Sequence, residues 1–330
     1  MIHVKKIENT QEWDAFVMKQ PYTLFVQSSA YVHFCNTIED EAFLVGVYEN
    51  EKLIGGSLVT GVHAKRGSYI TLPYGPILDF THKNAVNAFF DFLKAYAKDN
   101  TYSFIRVSPF EDNTPELRAT FKQLGAKRSP MHILAENTWI LDARTDADSI
   151  LKNMNKNHRN LIRRCERDGV EVTMSTDTEA LTRLNDMMDE VAKRHNFHRF
   201  SRTFVEKEFK TFAPQGEAVL FEAKLLDGRV DASAMFIMYG NMCAYRHSAS
   251  LQLDKKHPSS YLIQWKALQE AQKRGISWYN FWGIAPQDAD KSHPFFGITH
   301  FKKGFGGFEV GIGTRRLSAI AELCHGYRCG

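Results

Sequence analysis

The stretch that decides the fold is "VLFEAKLLDGRVDASAMFIM", Val219 to Met238. Apolar and β-branched residues run up to Asp227–Gly228 and resume after it, the pattern of two strands closed by a tight turn. An earlier segment, "AFLVGVYENEKLIGGSLVTGV" from Ala42 to Val62, has the same design, with a polar turn over Glu49 to Lys52. The two hairpins lie about 176 residues apart. The same offset carries "KNAVNAFFDFLKAYAKD" (Lys83 to Asp99) onto "SSYLIQWKALQEAQKRG" (Ser259 to Gly275), both with apolar residues at helical spacing. It also carries the strand-like "SFIRVSP" onto "WYNFWGI" (Trp278 to Ile284). Hairpin, helix and strand recur in one order at one spacing, which predicts a tandem of two similar mixed α/β units.

The polar "DARTDAD" (Asp142 to Asp148) interrupts the pattern between the repeats. It sets the expected division at a first domain of 1–145 and a second of 146–316. Residues 317–330 have no counterpart in the first unit and are read as a tail packing back on the first domain.

With 330 residues and 43% hydrophobic content, the chain can bury two cores and shows no bias toward disorder or fibrous repeats. The formal net charge of +4 excludes a generally basic surface, so a polyanionic partner must meet a local patch. "MIHVKKIENTQEWDAF" lacks the apolar core of a secretory signal, and no run reaches membrane-spanning length, so a cytoplasmic protein is expected. Five cysteines are scattered, with only "CHGYRC" (Cys324 to Cys329) closely spaced; reduced thiols and no metal site are expected.

"DSILKNMNKNHRNLIRRCERDGVEV", Asp148 to Val172, supplies the local patch. It reads as one amphipathic helix capped by Asp148 or Ser149 and stopped at Gly169. Lys152, Lys156, Arg159, Arg163 and Arg167 follow one another at helical spacing, with Arg164 and His158 beside them and few acids. Like charges at this spacing repel by a few tenths of a kcal/mol per pair, so their accumulation suggests phosphate binding over a merely solvated face. A second unusual cluster is "HPFFGITHFKKGFGG", His293 to Gly307, where two lysines stand between aromatics and glycines.

The basic segment "NKNHRNLIRRCERDGVEV", then "PSSYLIQWKALQEAQKRGISWYNFWGI" and "FKKGFGG", stand in the order found in the Fem family of peptidyltransferases, which the chain resembles. "LFVQSSAYVHF" (Leu24 to Phe34) and "YITLPYGPILDF" (Tyr69 to Phe80) are similar to segments of that family's first domain. The resemblance implies two acetyltransferase-like (GNAT-type) units. It also implies an aminoacyltransferase that moves an amino acid from aminoacyl-tRNA to an amine of a nucleotide-linked or lipid-linked peptidoglycan precursor, with peripheral contact at the inner membrane face. No heptad run marks a helical arm, so the compact, arm-less members are the nearer match.

By that resemblance Lys302 is the first catalytic candidate, a cation beside the transferred ester, with Phe301 and Lys303 next to it. Aminolysis of an ester needs oxyanion stabilisation and a proton route to the leaving hydroxyl, but no protein nucleophile and no cofactor. A lysine can supply the charge without leaving its protonated form. Gly304, Gly306 and Gly307 would allow a tight turn or close approach of a ligand. Arg199 stands where the family holds a diphosphate with an arginine, but the tyrosine expected four residues later is replaced by Thr203, so Arg202, Tyr245, Tyr261 and Tyr74 join the candidate substrate-binding set. Cys35 or Asn36, and Ser108, stand where other members carry a lysine and an acid. Two other readings share parts of this evidence: an acetyl-CoA-dependent enzyme of the same fold, disfavoured because "LQLDKKHPS" before Ser259 has no glycine for a pyrophosphate, and a non-enzymatic RNA-binding module.

Overall fold

In the computed structural model, residues 1–64, 67–112, 114–128, 137–293, 295–311 and 317–319 are described. The first half contains β1 (Ile2–Lys6), α1 (Thr10–Val17), α2 (Ser29–Thr37), β2 (Glu41–Glu49), β3 (Lys52–Ala64), β4 (Gly67–Leu72), α3 (Lys83–Asp99), β5 (Ile105–Val107), α4 (Pro115–Gln123) and β6 (Ala126–Arg128). The second runs through β7 (Asn137–Asp142), α5 (Ala147–Asn153), α6 (Lys156–Arg167), β8 (Glu171–Ser175), α7 (Thr178–His195), α8 (Arg202–Phe212), β9 (Ala218–Lys224), β10 (Val230–Tyr239) and β11 (Met242–Ser250). It closes with α9 (Ser259–Lys273), β12 (Trp278–Ile284), α10 (Phe296–Lys303) and β13 (Phe308–Gly311), before a last strand, β14 (Leu317–Ala319).

The chain forms two compact units, each around a seven-stranded sheet. The first sheet has the order β1-β2-β3-β4-β5-β14-β6; read from its opposite edge, the second is β8-β9-β10-β11-β12-β7-β13. The repeat inferred from the hairpins is therefore a repeat of whole sheets. In both, three antiparallel pairings are followed by one parallel pairing, β4 with β5 and β11 with β12, across the helix that follows the third hairpin strand's partner. Asn50 and Glu51 adopt φ of 47° and 66°, so the first hairpin closes in a two-residue turn with Glu49 opposite Lys52. Asp227–Gly228 closes the second, with Gly228 at φ 82°.

The division falls at Asn137/Thr138, earlier than the polar "DARTDAD", because β7 lies between β12 and β13 in the second sheet. The corresponding slot of the first sheet is filled by β14, antiparallel to both β5 and β6. Helix α3 covers the first sheet with Val86, Phe89, Phe90 and Leu93, buried against Val45, Val47, Ile70 and Ile105. Helix α9 does the same in the second unit with Leu262, Ile263, Ala267 and Leu268 over Phe221, Phe236 and Tyr279. Each large side chain so placed contributes roughly 1.5–3 kcal/mol of burial.

The basic segment is two helices, not one. Met154 is extended (ψ 153°) and ends α5, which Asp146 caps by accepting from Ser149 N at 2.9 Å. Asn155 then caps α6, accepting from Asn157 N at 2.9 Å. Gly169, at φ 80°, follows the end of α6 as the sequence suggests.

Candidate functional site in the second unit

The register between β11 and β12 covers only Met242–Ala244 against Trp278–Asn280. Beyond it β11 continues to Ser250, and its far half lines a cavity of about 500 Å³. The walls combine Tyr245, Ser248 and Ala249 of β11 with Ala232–Ala234 of β10, Tyr261 and Gln264 of α9, and Gly297, Ile298 and Phe301 of α10. Arg194 and Lys255 stand in the same lining, and Arg194 is held by the carbonyls of Ser250 (2.8 Å) and Leu251 (2.7 Å). Tyr245 donates to Ser248 Oγ at 2.6 Å, and burial raises the pKa of Tyr245 and of Tyr261. Ser233 Oγ is buried in this wall with no partner among the described residues.

Three candidates from the sequence, Tyr245, Tyr261 and Phe301, thus meet in one cavity. Lys302, next in the chain, directs its Nζ at Gly283 O, 2.7 Å away, with the Phe295 ring centroid at 5.9 Å. It is 6% exposed, and burial pushes its pKa down to about 7. A lysine so shifted can give up and regain a proton near neutrality, where the sequence alone suggested a permanent charge. Its partner carbonyl depends on an uncommon backbone: Trp282 has φ 59°, and its N–H donates to Oδ1 of the buried Asn280 at 2.7 Å. Thr299 adds a second tie between α10 and the end of β12, accepting from Ala285 N at 2.8 Å.

Lys303 lies 3.8 Å from Glu309 and 5.0 Å from the Trp139 ring centroid. The glycines that follow face protein. A Cβ on Gly304 would stand 2.0 Å from the His158 ring, and one on Gly307 would stand 2.3 Å from Ile140 O. Close approach is what they permit, but to α6 and β7.

The arginines expected to hold a diphosphate are engaged elsewhere. Arg199 is almost buried and donates to Asp189 (2.6 Å), Asn185 Oδ1 (3.1 Å) and Phe200 O (2.8 Å). Arg202 pairs with Asp186 at 2.7 Å and also with Asp189. Both carboxylates project from α7 at positions whose partners could not be read from spacing. Tyr74 belongs to the first unit, where it is buried at φ 56° with its ring 6.0 Å from that of Phe110. Cys35 and Ser108 are buried in that unit as well.

On the basic helices, Arg159 donates to the carbonyls of Lys152 (2.7 Å), Leu151 (3.3 Å) and Met154, and so caps α5. Arg167 pairs with Asp168 at 2.8 Å. Lys152, Lys156 and Arg163 are exposed, with no ion-pair partner among the described residues. His158, grouped with these cations from the sequence, is fully buried instead. Among the described residues no group of His, Cys, Asp and Glu could hold a metal, and no helix is long and apolar enough to cross a membrane. Cys165 and Cys243 are buried free thiols and Cys35 is buried as well; Cys324 and Cys329 lie outside the described residues.

The FemAB family model matches residues 9–231 and 227–315, nearly the whole chain. The chain belongs to the FemAB family. Among FemAB relatives, Aminoacyltransferase FemA of Staphylococcus epidermidis is 20% identical, with 89% of this chain and 91% of that protein covered. FemA of Staphylococcus aureus is likewise 20% identical, with 89% and 90% covered. Among solved structures, the crystal structure of FemX superposes with a TM-score of 0.85 at 19% identity, covering 96% of this chain and 97% of that one. A tandem GNAT protein from the clavulanic acid biosynthesis pathway reaches 0.60 at 11% identity over 96% and 97%. The FemAB fold is thus a tandem of GNAT-type units, as the Fem resemblance implies.

Proposed function

We propose that the chain is an aminoacyltransferase that moves an amino acid from aminoacyl-tRNA to an amine of a peptidoglycan stem peptide carried on a nucleotide or lipid, forming interpeptide bridges by direct aminolysis. The observation that carries this reading is the buried Lys302 at about pKa 7, adjoining through Phe301 an aromatic-walled cavity in a FemAB chain whose curated relatives are named aminoacyltransferases.

In the reaction the acceptor's neutral amine attacks the ester carbonyl, a C–N bond forms, and the bond between the acyl carbon and the ribose oxygen breaks. The proton released by the amine must reach the leaving ribose oxygen. Protonated Lys302 stabilises the oxyanion, gives its proton to the leaving oxygen and regains one from the attacking nitrogen, a cycle open only to a group that titrates near the working pH. The unpartnered Ser233 hydroxyl and the Tyr245–Ser248 pair offer the cavity's occupant hydrogen bonds, and Lys152, Lys156 and Arg163 supply unpaired charge for phosphates. The acetyl-CoA alternative is disfavoured because α9 is entered through Asp254–Pro258, with the Asp254 carboxylate in the lining and no glycine to bring backbone N–H groups onto a pyrophosphate.

The test is transfer of labelled amino acid from a mixed aminoacyl-tRNA pool to nucleotide-linked and lipid-linked pentapeptide, with acetyl-CoA as a rival donor. Label should reach a peptide, be lost after ribonuclease treatment, and fall by about 100-fold or more in kcat in Lys302→Met, consistent with loss of one preorganised charge. Acetyl transfer in place of aminoacyl transfer, or full activity of folded Lys302→Met, would overturn the reading.

A further inference from the structure

His158 occupies the inner face of α6 with none of its surface exposed. Its Nε2 lies 2.9 Å from Phe301 O, which can only accept, so Nε2 carries the proton. Nδ1 is then a bare acceptor, buried with no partner among the described residues. Burial holds the ring below its usual pKa, outweighing the hydrogen bond to Phe301, so it is neutral. Tyr261 and Phe305 pack edge-on against it at 4.8 and 4.9 Å, and Gly304 leaves no room between the ring and the chain. Three residues earlier Asn155 N donates to Gly304 O at 2.8 Å. The start of α6 therefore grips the last turn of α10 at two carbonyls, Phe301 and Gly304, which flank Lys302.

A phenylalanine would fill such an aromatic cage without leaving a ring nitrogen unsatisfied, an omission that costs about 1–3 kcal/mol. The imidazole's distinguishing contribution is its bond to the carbonyl of the peptide whose nitrogen belongs to Lys302. Rotation of that peptide would swing the lysine's Cα–Cβ bond and lift Nζ from Gly283 O. We propose that His158 is a positioning residue for the transfer reaction: by bonding Phe301 O it fixes the peptide that aims Lys302 into its buried place at the end of β12. The proposal rests on the assignment of Lys302 as the reacting cation.

Two substitutions separate orientation from packing. His158→Phe keeps the ring's bulk and loses the donor; His158→Gln carries an amide N–H to about the position of Nε2. The experiment is titration of the Lys302 side chain by 13Cε and 15Nζ NMR, assigned against Lys302→Met, together with kcat and KM for aminoacyl-tRNA. Other titratable or charged groups in this neighbourhood are His300 and Lys303 on α10, the latter already near Glu309, Tyr261 on α9 and Tyr279 on β12, both tyrosines raised in pKa by burial. In His158→Phe, kcat should fall by about 10-fold or more with KM nearly unchanged, and the Lys302 midpoint should rise by about one unit or more as the side chain gains solvent. His158→Gln should restore both. A folded His158→Phe protein with an unshifted Lys302 midpoint would overturn the proposal, as would a folded His158→Gln that rescues neither property. The NMR arm needs no substrate, so absence of tRNA-dependent transfer in the wild type would sink the proposed reaction and leave this arm to decide the positioning role.

Discussion

Burying the Lys302 ammonium with one carbonyl as its hydrogen-bond partner weighs on the stability of the second unit. Its folded pKa, about 7, lies below the ordinary lysine value of 10.5, so between those limits the unfolded chain binds more protons than the folded one. Stability therefore rises with pH through that window, and the cost of the buried charge is fully present below about pH 7. Lys302→Met, similar in length and apolar, should be more stable than the wild type by roughly 3–5 kcal/mol at pH 6, and the gap should narrow to about 1 kcal/mol near pH 10. Chemical denaturation at the two pH values checks this; a pH-independent difference would mean that Lys302 is not titrating from a buried state. A residue that destabilises its own fold fits a chemical task better than a structural one.

At the scale of elements, α5 and α6 divide the seven cationic or imidazole side chains of the basic segment between different tasks. Arg159 caps α5, Arg167 answers Asp168, Arg164 reaches Lys256 O at 3.4 Å, and His158 is buried. Lys152, Lys156 and Arg163 are left for phosphates. Charge reversal at Lys156 and Arg163 should weaken tRNA binding and lower the slope of log affinity against log salt by roughly one to two, with thermal stability nearly unchanged. Arg159→Ala should behave oppositely, losing about 1 kcal/mol of stability as α5 frays, with little change in that slope. Filter binding over a salt series, beside thermal melts, distinguishes the two; equal effects from both variants would return α6 to a solvated face. A sequence shows the number and spacing of these charges, but the carbonyls that accept from Arg159 come together only once the chain turns at Met154.

The whole molecule is two sheets of one plan, each holding between its fifth strand and its edge a strand from outside the repeated hairpin–helix–strand core. In the first sheet that strand is β14, from the end of the chain. Ending the chain after residue 316 should leave β5 and β6 without their shared partner. Hydrogen exchange is then expected to show lost protection in Ile105–Val107 and Ala126–Arg128 while β9 to β11 stay protected. Retained protection of β5 would mean that the first sheet does not need the tail.

Local pattern determined the paired hairpins, the amphipathic helices α3 and α9, and hence the tandem architecture, because these follow from side-chain period and turn chemistry within a few residues. The candidate cluster Phe301–Lys302–Lys303 was legible through its resemblance to the Fem family. Only the tertiary structure decided what each charge does: that Asp186 and Asp189 occupy Arg202 and Asp189 also holds Arg199, that Tyr74 belongs to the other unit, that His158 is buried, and that Lys302 loses its water. Solvation and ion pairing depend on neighbours brought from distant parts of the chain, and a single sequence carries no periodic signal for them.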